Sequence, residues 1–208
     1  MKRTFFSLAL LLAVATLTAQ TKMTAREAAV KIADRILAST TYEFKNTKTG
    51  EIYKSVKKLP LDMDVKVACK YNNWHYTNGV TNMALMELGD KLGDKKYEKY
   101  VLKNMNFVFN EGNLDFFRKQ YDEAFKRDGW NAVRKLSWHM IFRGKRLDDN
   151  GPMGASLIEL QLKYPNDSFL GYINETAEHL NYGEPRLVDG TIARIWPHVN
   201  TCLLYTSP

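Results

Sequence analysis

Apolar residues recur at helical spacing through most of the chain, and they predict pairs of helices separated by short turns. The pattern occurs twice, with the second copy 72 residues after the first. Breaker residues follow the first helix of each copy, at Leu92-Gly93-Asp94 and at Tyr164-Pro165-Asn166-Asp167. Each copy therefore predicts a helix, a turn and a second helix. The equivalent positions are Asn78-Gly79 and Asn150-Gly151, Leu85 to Leu88 and Leu157 to Leu160, Lys91 and Lys163, Tyr97 and Phe169, and Tyr100 and Tyr172.

Helical hairpins that cannot bury their apolar faces alone must stack on their neighbours, so we expect an all-α fold built from them. Spacing leaves open an extended solenoid or a closed ring. A further helix is expected from Ala25 to Ala38, with Thr24 and Glu27 forming a capping box. Tyr42 to Lys70 is expected to be an extended loop, in which nothing demands a sheet. Between the copies, helical stripes run through Leu114, Phe117, Tyr121 and Phe125, then, after Asp128-Gly129, through Trp130, Val133, Leu136 and Trp138.

The second copy opens with an acidic pair, Asp148-Asp149, after Arg146. Asn150 or Gly151 is the expected N-cap of its first helix, with Pro152 at the first helical position, where its missing N–H costs nothing. Two carboxylates would then lie on a short loop at the positive end of a helix, which favours negative charge. The pair is either a helix start with spare charge or half of a carbohydrate-type active site.

The first copy opens with a polar and aromatic segment, Asn72 to Gly79. Trp74 and Tyr76 offer flat apolar faces with polar tips, as sugar rings require, and His75 and Asn78 offer hydrogen bonds for hydroxyls. The alternative is a pair of packing aromatic rings. If equivalent hairpins stack side by side, this segment and Asp148-Asp149 lie at the same end of the assembly, and both are candidate substrate-binding elements.

A third polar segment, residues 186–198, follows the second copy and carries Arg186, Arg194 and His198. One interpretation is that an arginine of this segment pairs bidentately with a substrate carboxylate. The alternative is an ion pair with Asp189 or Glu184 within the protein. The four histidines are scattered without nearby cysteine partners, so no metal site is expected. The sequence also lacks a phosphate-binding glycine loop and a serine nucleophile elbow, and no cofactor is expected.

Composition places the chain among globular proteins, and its first residues predict export. It has 208 residues, 45% of them hydrophobic. A basic start, an apolar run and small residues up to Ala19 predict a secretory signal peptide at 1–19. The net charge of +7 becomes +5 once Lys2 and Arg3 leave, and no nucleic-acid motif accompanies it. The expected protein is periplasmic, with no membrane contact after cleavage. Its two cysteines, Cys69 and Cys202, allow at most one bridge.

Three ordered motifs together resemble the unsaturated uronyl hydrolases of glycoside hydrolase families 105 and 88, most closely the unsaturated rhamnogalacturonyl hydrolases of gut Bacteroidetes. The resemblance covers nearly all of Thr24 to Thr201. It implies the N-terminal part of an (α/α)6 toroid over residues 20–201, an anionic oligosaccharide substrate, and hydration of the C4=C5 double bond left by pectin lyases. The motifs are Asn73-Trp74-His75-Tyr76 with Gly79, Leu147-Asp148-Asp149 with Gly151, Met153 and Gly154, and Asp189-Gly190-Thr191 with Ala193, Arg194 and Pro197.

The resemblance also assigns roles to residues. Asp149 matches the aspartate that contacts the sugar and supports the principal acid and base, Tyr76 matches a substrate-contacting aromatic residue, and Arg194 lies where the family supplies a basic contact. The principal aspartate is expected directly after Thr201, where the chain instead has residues 202–208, a tail with the character of non-native sequence. The 208-residue chain is therefore expected to be inactive and to fold poorly.

Two other functions fit the same residues. One is a toroid glycosidase that cleaves saturated glycans with paired acids. The other is a non-catalytic, exported glycan-binding helical protein, which export and the Trp74 and Tyr76 segment permit.

Overall fold

The computed structural model describes residues 23–109, 112–143 and 147–193, without the side chain of Asp149. Within these ranges the protein is mostly helical, as the hydrophobic pattern predicts. None of the helices there is long and apolar enough to cross a bilayer. The predicted signal peptide and the predicted non-native tail lie outside the described residues. The α-helices are α1 (Ala25–Ser39), α2 (Tyr76–Leu92), α3 (Lys96–Phe109), α4 (Asn113–Val133), α5 (Leu147–Lys163) and α6 (Asp167–Glu178).

The chain divides by its contacts into two units, residues 1–35 and 36–208, and the boundary falls inside α1. The described part of the first unit is the beginning of α1 with its capping box. The Thr24 amide donates to the Glu27 carboxylate at 2.8 Å, and the Glu27 amide donates to the Thr24 hydroxyl at 3.2 Å. The predicted helix and its cap are confirmed.

The two predicted hairpins are α2 with α3 and α5 with α6. The first turn is possible because Gly93 adopts a left-handed conformation (φ 66°) that ends α2. In the second hairpin, Asn166 is the N-cap of α6, and its side chain accepts the Ser168 amide at 2.8 Å. One pair of equivalent positions is also buried alike, since Tyr97 and Phe169 are both fully buried. The repeat is therefore structural as well as sequential.

The expected loop from Tyr42 to Lys70 instead contains a small antiparallel sheet. Its strands are β1 (Phe44–Asn46), β2 (Ile52–Tyr53) and β3 (Val65–Val67), in the order β2-β1-β3. Phe44 pairs with Val67, and Phe44, Val65 and Val67 are all buried, whereas Lys45 is exposed. Strands of two or three residues are too short to show an alternating pattern, which is why the sequence did not predict them.

The start of α5 also differs from the prediction. The helix begins at Leu147, so Asp148, Asp149 and Asn150 form its first turn and Pro152 lies inside it. Neither Asn150 nor Gly151 is the N-cap. Pro152 is the sixth residue of the helix and has no N–H to donate, so the Asp148 carbonyl, four residues earlier, lacks its usual helical donor.

The first helices of the two hairpins pack directly on each other. Gly79 of α2 lies so close to α5 that a Cβ there would come within 2.4 Å of the Pro152 carbonyl carbon and 2.5 Å of the Met153 amide nitrogen. Both glycine and proline lie in the early turns of their helices. The two helix starts are therefore neighbours at one end of the hairpin pair, as stacking of equivalent hairpins predicts.

Helix α4 and the following turn separate the two hairpins along the chain. The predicted break is present, since Asp128 and Gly129 have non-helical backbone conformations and Gly129 has a φ of 52°. A 3-10 segment, His139–Phe142, follows. Around the break, a small core is formed by Ala124, Ala132, Val133 and Leu136, with Met63, Tyr121 and Trp130 packed against it.

Candidate functional site

The segment that precedes α2 is held in place mainly by asparagine side chains. Asn72 Nδ2 donates to the Thr41 carbonyl at 3.2 Å. Asn73 Oδ1 accepts the backbone N–H of Trp138 at 2.7 Å, and Trp138 has an unusual positive φ of 62°. These bonds tie the segment that carries the motif to Thr41 and Trp138, so the Asn72-Asn73 pair has a structural role.

Trp74 is fully buried, contrary to the expectation that its ring offers a flat face to a ligand. Its Nε1 donates to Asn150 Oδ1 at 3.0 Å, and the same oxygen accepts the Tyr172 hydroxyl at 3.2 Å. The Trp74 and Tyr172 rings meet edge to face, with centroids 4.9 Å apart. The ring therefore supports the start of α5 from inside, because a buried tryptophan needs a partner for its N–H.

His75 and Tyr76 are the part of this segment that reaches solvent. His75 is the N-cap of α2, and its Nδ1 accepts the Thr77 amide at 3.3 Å. Tyr76 is 45% exposed, and its ring lies 4.6 Å from the His75 imidazole. The two rings form an exposed aromatic and polar surface at the start of α2, as a sugar-binding element requires.

Asn78 is buried and is directed into the protein. Its Nδ2 donates to the carbonyls of Lys70 at 3.0 Å and Asn73 at 2.9 Å, so the expected contact with substrate hydroxyls has no support in this geometry. Asp148 is exposed in the first turn of α5. Asp149 follows it in the helix, and its side chain lies outside the described part of the chain.

The third polar segment is described up to Ala193, so Arg194 and His198 lie outside the described residues. Arg186 donates to the carbonyls of Gly190 at 2.9 Å and Leu180 at 3.2 Å. No ion pair joins it to Asp189 or Glu184, both of which are described. Glu184 is instead 3.1 Å from the His179 Nε2 atom. Arg186 therefore stabilises its own loop.

A groove that the sequence did not predict opens beside the start of α5. It has two adjoining hollows of about 230 Å³ and 130 Å³, which share walls from α4, the 3-10 segment and α6. Asn150 and Tyr172 were visible as repeat positions, but the sequence did not predict the groove, because its walls come together only in the tertiary structure. The principal polar and aromatic wall residues are Arg118, Phe142, Asn150, Tyr172, Glu175 and His179.

The walls of the groove carry hydrogen-bonding and aromatic groups together with the Glu175 carboxylate. Burial, and to a lesser extent the neighbouring Glu175 carboxylate, raises the pKa of Tyr172, so its hydroxyl remains a proton donor at neutral pH. In the described ranges, no three His, Cys, Asp or Glu side chains are grouped to hold a metal ion. Recognition of a polar, ring-shaped ligand is the chemistry that these groups support.

No protein-family model matches this chain, and no curated protein matches it.

Proposed function

We propose that the intact protein is an exported glycoside hydrolase that removes the terminal unsaturated uronic acid from lyase-generated pectin oligosaccharides, such as unsaturated galacturonyl-rhamnose. The supporting observation is the pairing of two motif-bearing segments at adjacent helix starts. The Trp74 to Asn150 hydrogen bond and the close approach of Gly79 to Pro152 hold them together. In this proposal the hairpins belong to an (α/α)6 toroid, and the protein works in the periplasm.

The proposed reaction is hydration of a vinyl ether. A carboxylic acid transfers its proton to C4 of the C4=C5 double bond, which leaves positive charge shared by C5 and the ring oxygen. A water oxygen adds to C5 while the resulting carboxylate takes the proton of that water, which restores the acid. The C5 hemiketal then opens by breaking the bond between C5 and the ring oxygen, which leaves a ketone at C5 and a hemiacetal at C1. Collapse of that hemiacetal to an aldehyde breaks the glycosidic bond and releases the rest of the oligosaccharide as an alcohol. The reaction needs no redox cofactor.

Asp149 is the residue that we assign to the sugar on this chain. Its place in the first turn of α5 puts it beside Asn150, which the Trp74 and Tyr172 donors hold in position. We assign it to orienting substrate hydroxyls and supporting the principal acid. That acid is the aspartate that the family resemblance places after Thr201. Tyr76 and His75 supply an exposed surface for the sugar at the start of α2.

The test uses the complete reading frame, obtained by sequencing the gene beyond the Thr201 codon. The purified protein is incubated with lyase-treated rhamnogalacturonan, and loss of the ultraviolet absorbance of the unsaturated uronate is followed. We expect that absorbance to fall. Unchanged absorbance on every unsaturated uronide tested would refute the proposal. Turnover of saturated oligosaccharides would instead identify a glycosidase of the ordinary type, and binding without turnover a glycan-binding protein.

The role of Asp149 has its own prediction. Asp149→Asn should lower kcat/KM by about 100-fold, because misplacing a reacting group by about 1 Å has an effect of that size. Asp167→Asn is the matched control, since it removes an acidic group from the first turn of α6, the second helix of the same hairpin. Equal activity of the two variants would contradict the assignment.

A further inference from the structure

The second hairpin has an apolar face that is open to solvent. Ile158 and Leu162 of α5 are both exposed, and they lie one turn apart on the same side of the helix. Leu162 is 76% exposed, and Leu170 of α6 is exposed as well. Large apolar side chains that share one exposed face are typical of a surface that binds another protein.

The first hairpin shows how the three positions lie relative to one another. Their counterparts 72 residues earlier are Met86, Asp90 and Glu98. The carboxylates of Asp90 and Glu98 both bind the Lys163 ammonium group of α5, so they are close together. Leu162 and Leu170 take the equivalent places in the second hairpin. The open face is therefore the counterpart of the face that α5 covers in the first hairpin.

The covering side of α5 also has an open counterpart. Pro152 lies against Gly79 near the start of α2, and Lys163 binds Asp90 near its end. Pro152 and Lys163 are about three turns apart, so they lie on one side of α5. The residues at the equivalent positions of α2 are Val80 and Lys91. Both are exposed, so this side of α2 has no covering element in the described structure.

The residues on these two open surfaces match each other in polarity. In the contact between the two hairpins, the Tyr164 hydroxyl donates to a Glu98 oxygen. The equivalent positions hold two leucines, Leu92 beside the open side of α2 and Leu170 on the apolar face. A polar pair within the chain is therefore replaced on both surfaces by apolar residues. A second copy of this chain offers the apolar face a partner of the right shape and polarity.

The charged residues of the α2 side are also compatible with this contact. Lys91, the counterpart of Lys163, pairs with Glu87 of its own helix at 2.9 Å. It therefore needs no acidic partner at Leu162, the counterpart of Asp90. A lysine can lay its methylene stem on an apolar surface while its ammonium group stays in water. Lys91 of a second copy can thus cover Leu162 and keep its ion pair.

We propose that the 208-residue chain associates head to tail, with the open side of α2 in one copy bound to the apolar face of α5 and α6 in the next. Because the two surfaces differ, a pair of copies keeps one unused surface of each kind. Such an assembly either closes into a ring or continues as a chain of copies. This inference rests on the packing of the repeat and is independent of the proposed reaction.

Sedimentation velocity of the purified chain between about 1 and 100 µM measures the association. We expect the mean mass to rise with concentration above that of one chain. Leu162→Glu, and Val80→Glu on the opposing surface, should each weaken association by at least about 30-fold, because each buries an unpaired carboxylate in the interface. Ile52→Glu is the matched control and should leave association unchanged, since Ile52 is an equally exposed apolar residue in β2.

A mixture of the two blocking variants tests the head-to-tail geometry. Leu162→Glu keeps the α2 side and Val80→Glu keeps the apolar face, so a 1:1 mixture should form dimers that grow no further. Each variant alone should stay monomeric. Contact between two identical apolar faces would instead leave Val80→Glu able to dimerise by itself, which would overturn the proposal. A mixture that stays monomeric would also overturn it.

The substituted positions are exposed, so we expect the variants to fold, and unchanged helical circular dichroism verifies it. Leu170→Glu, on α6, repeats the Leu162 test at a second position and should give the same loss. A wild type that stays monomeric over the whole range would overturn the proposal and leave the apolar face to a further segment of a longer chain. Association that all these variants share equally would overturn it as well, because it would involve neither surface.

Discussion

At the scale of single residues, the Asn150 side chain joins the start of α5 to the segment before α2 and to α6. One oxygen atom, its Oδ1, accepts both the Trp74 indole N–H and the Tyr172 hydroxyl. The two donors come from the segment before α2 and from α6, so the side chain joins three parts of the fold. A buried polar group with no partner is costly, which explains why an amide at this buried position has two donors directed at it.

Replacing Asn150 with alanine should lower the free energy of unfolding by about 1–3 kcal/mol, because two buried donors lose their acceptor. Urea unfolding followed by circular dichroism measures the change. Tyr172→Phe is the comparison, since it removes one donor and leaves the Trp74 bond intact; it should lower the same free energy by about 1 kcal/mol. A smaller loss for Asn150→Ala than for Tyr172→Phe would show that the amide is not the centre of this network.

At the scale of helices, the two copies of the repeat have the same elements in different surroundings. Met86 of α2 is 4% exposed, whereas its counterpart Ile158 of α5 is 46% exposed. Gly79 likewise lies against α5, while a Cβ at its counterpart Gly151 would meet no atom within 4 Å. The second hairpin covers a face of the first, and the equivalent face of the second hairpin is open to solvent in the described structure.

This asymmetry predicts opposite effects for one substitution at equivalent positions. Gly79→Ala should lower the free energy of unfolding by about 1–3 kcal/mol, because the new methyl group would contact the backbone of Pro152 and Met153. Gly151→Ala should raise it by up to about 1 kcal/mol, since alanine favours the helix and has room there. Chemical unfolding of both variants beside the wild type makes the comparison. Equal effects would mean that α2 and α5 do not pack as described.

At the scale of the whole molecule, ion pairs connect the two hairpins. Lys163, the last residue of α5, lies 2.5 Å from the Glu98 carboxylate in α3 and 3.2 Å from the Asp90 carboxylate in α2. The Tyr164 hydroxyl donates to the other Glu98 oxygen at 2.5 Å. The hydrogen bonds from Lys163 and then from Tyr164 lower the pKa of Glu98 below its usual value of 4.5.

A lowered pKa in the folded state makes the contribution of Glu98 dependent on pH. The stabilisation is present above the unfolded-state value near 4.5 and is lost as the pH falls through the lower folded-state value. The difference in unfolding free energy between wild type and Glu98→Gln should therefore shrink on acidification from pH 7 to about pH 3. Urea titrations across this range test it. A difference that grows on acidification would contradict the assigned direction.

Glu87→Gln is the control for that experiment. Glu87 pairs with Lys91, the counterpart of Lys163, but within one helix and with both side chains largely exposed. Its removal should change the unfolding free energy at pH 7 by no more than about 0.5 kcal/mol. A decrease in the unfolding free energy as large as that of Glu98→Gln would show that an ion pair between the hairpins stabilises the fold no more than one within a single helix.

The sequence by itself determined the elements that depend on local chemistry. The helical stripe through Leu114 and Phe117, the Thr24 and Glu27 capping box and the glycine turn at Gly93 follow from neighbouring residues, and each is present. The stripe that starts at Trp130 is helical only to Val133. The repeat also placed the starts of α2 and α5 at the same end, because equivalent hairpins that stack side by side put equivalent helix ends next to each other. The mostly helical character was predictable for the same reason. The proposed chemistry at Asp149 remains a prediction.

Only the tertiary structure decided which side chains face solvent. Trp74 and Asn78 were expected to contact a ligand and are buried, because their polar atoms are bonded to Asn150 and to backbone carbonyls. The three short strands form because they pair with one another, β1 with both β2 and β3. The groove beside the start of α5 likewise joins residues from α3, α4, the 3-10 segment, α5 and α6. Local sequence determines the backbone conformation, whereas long-range packing determines burial, and a binding site depends on burial.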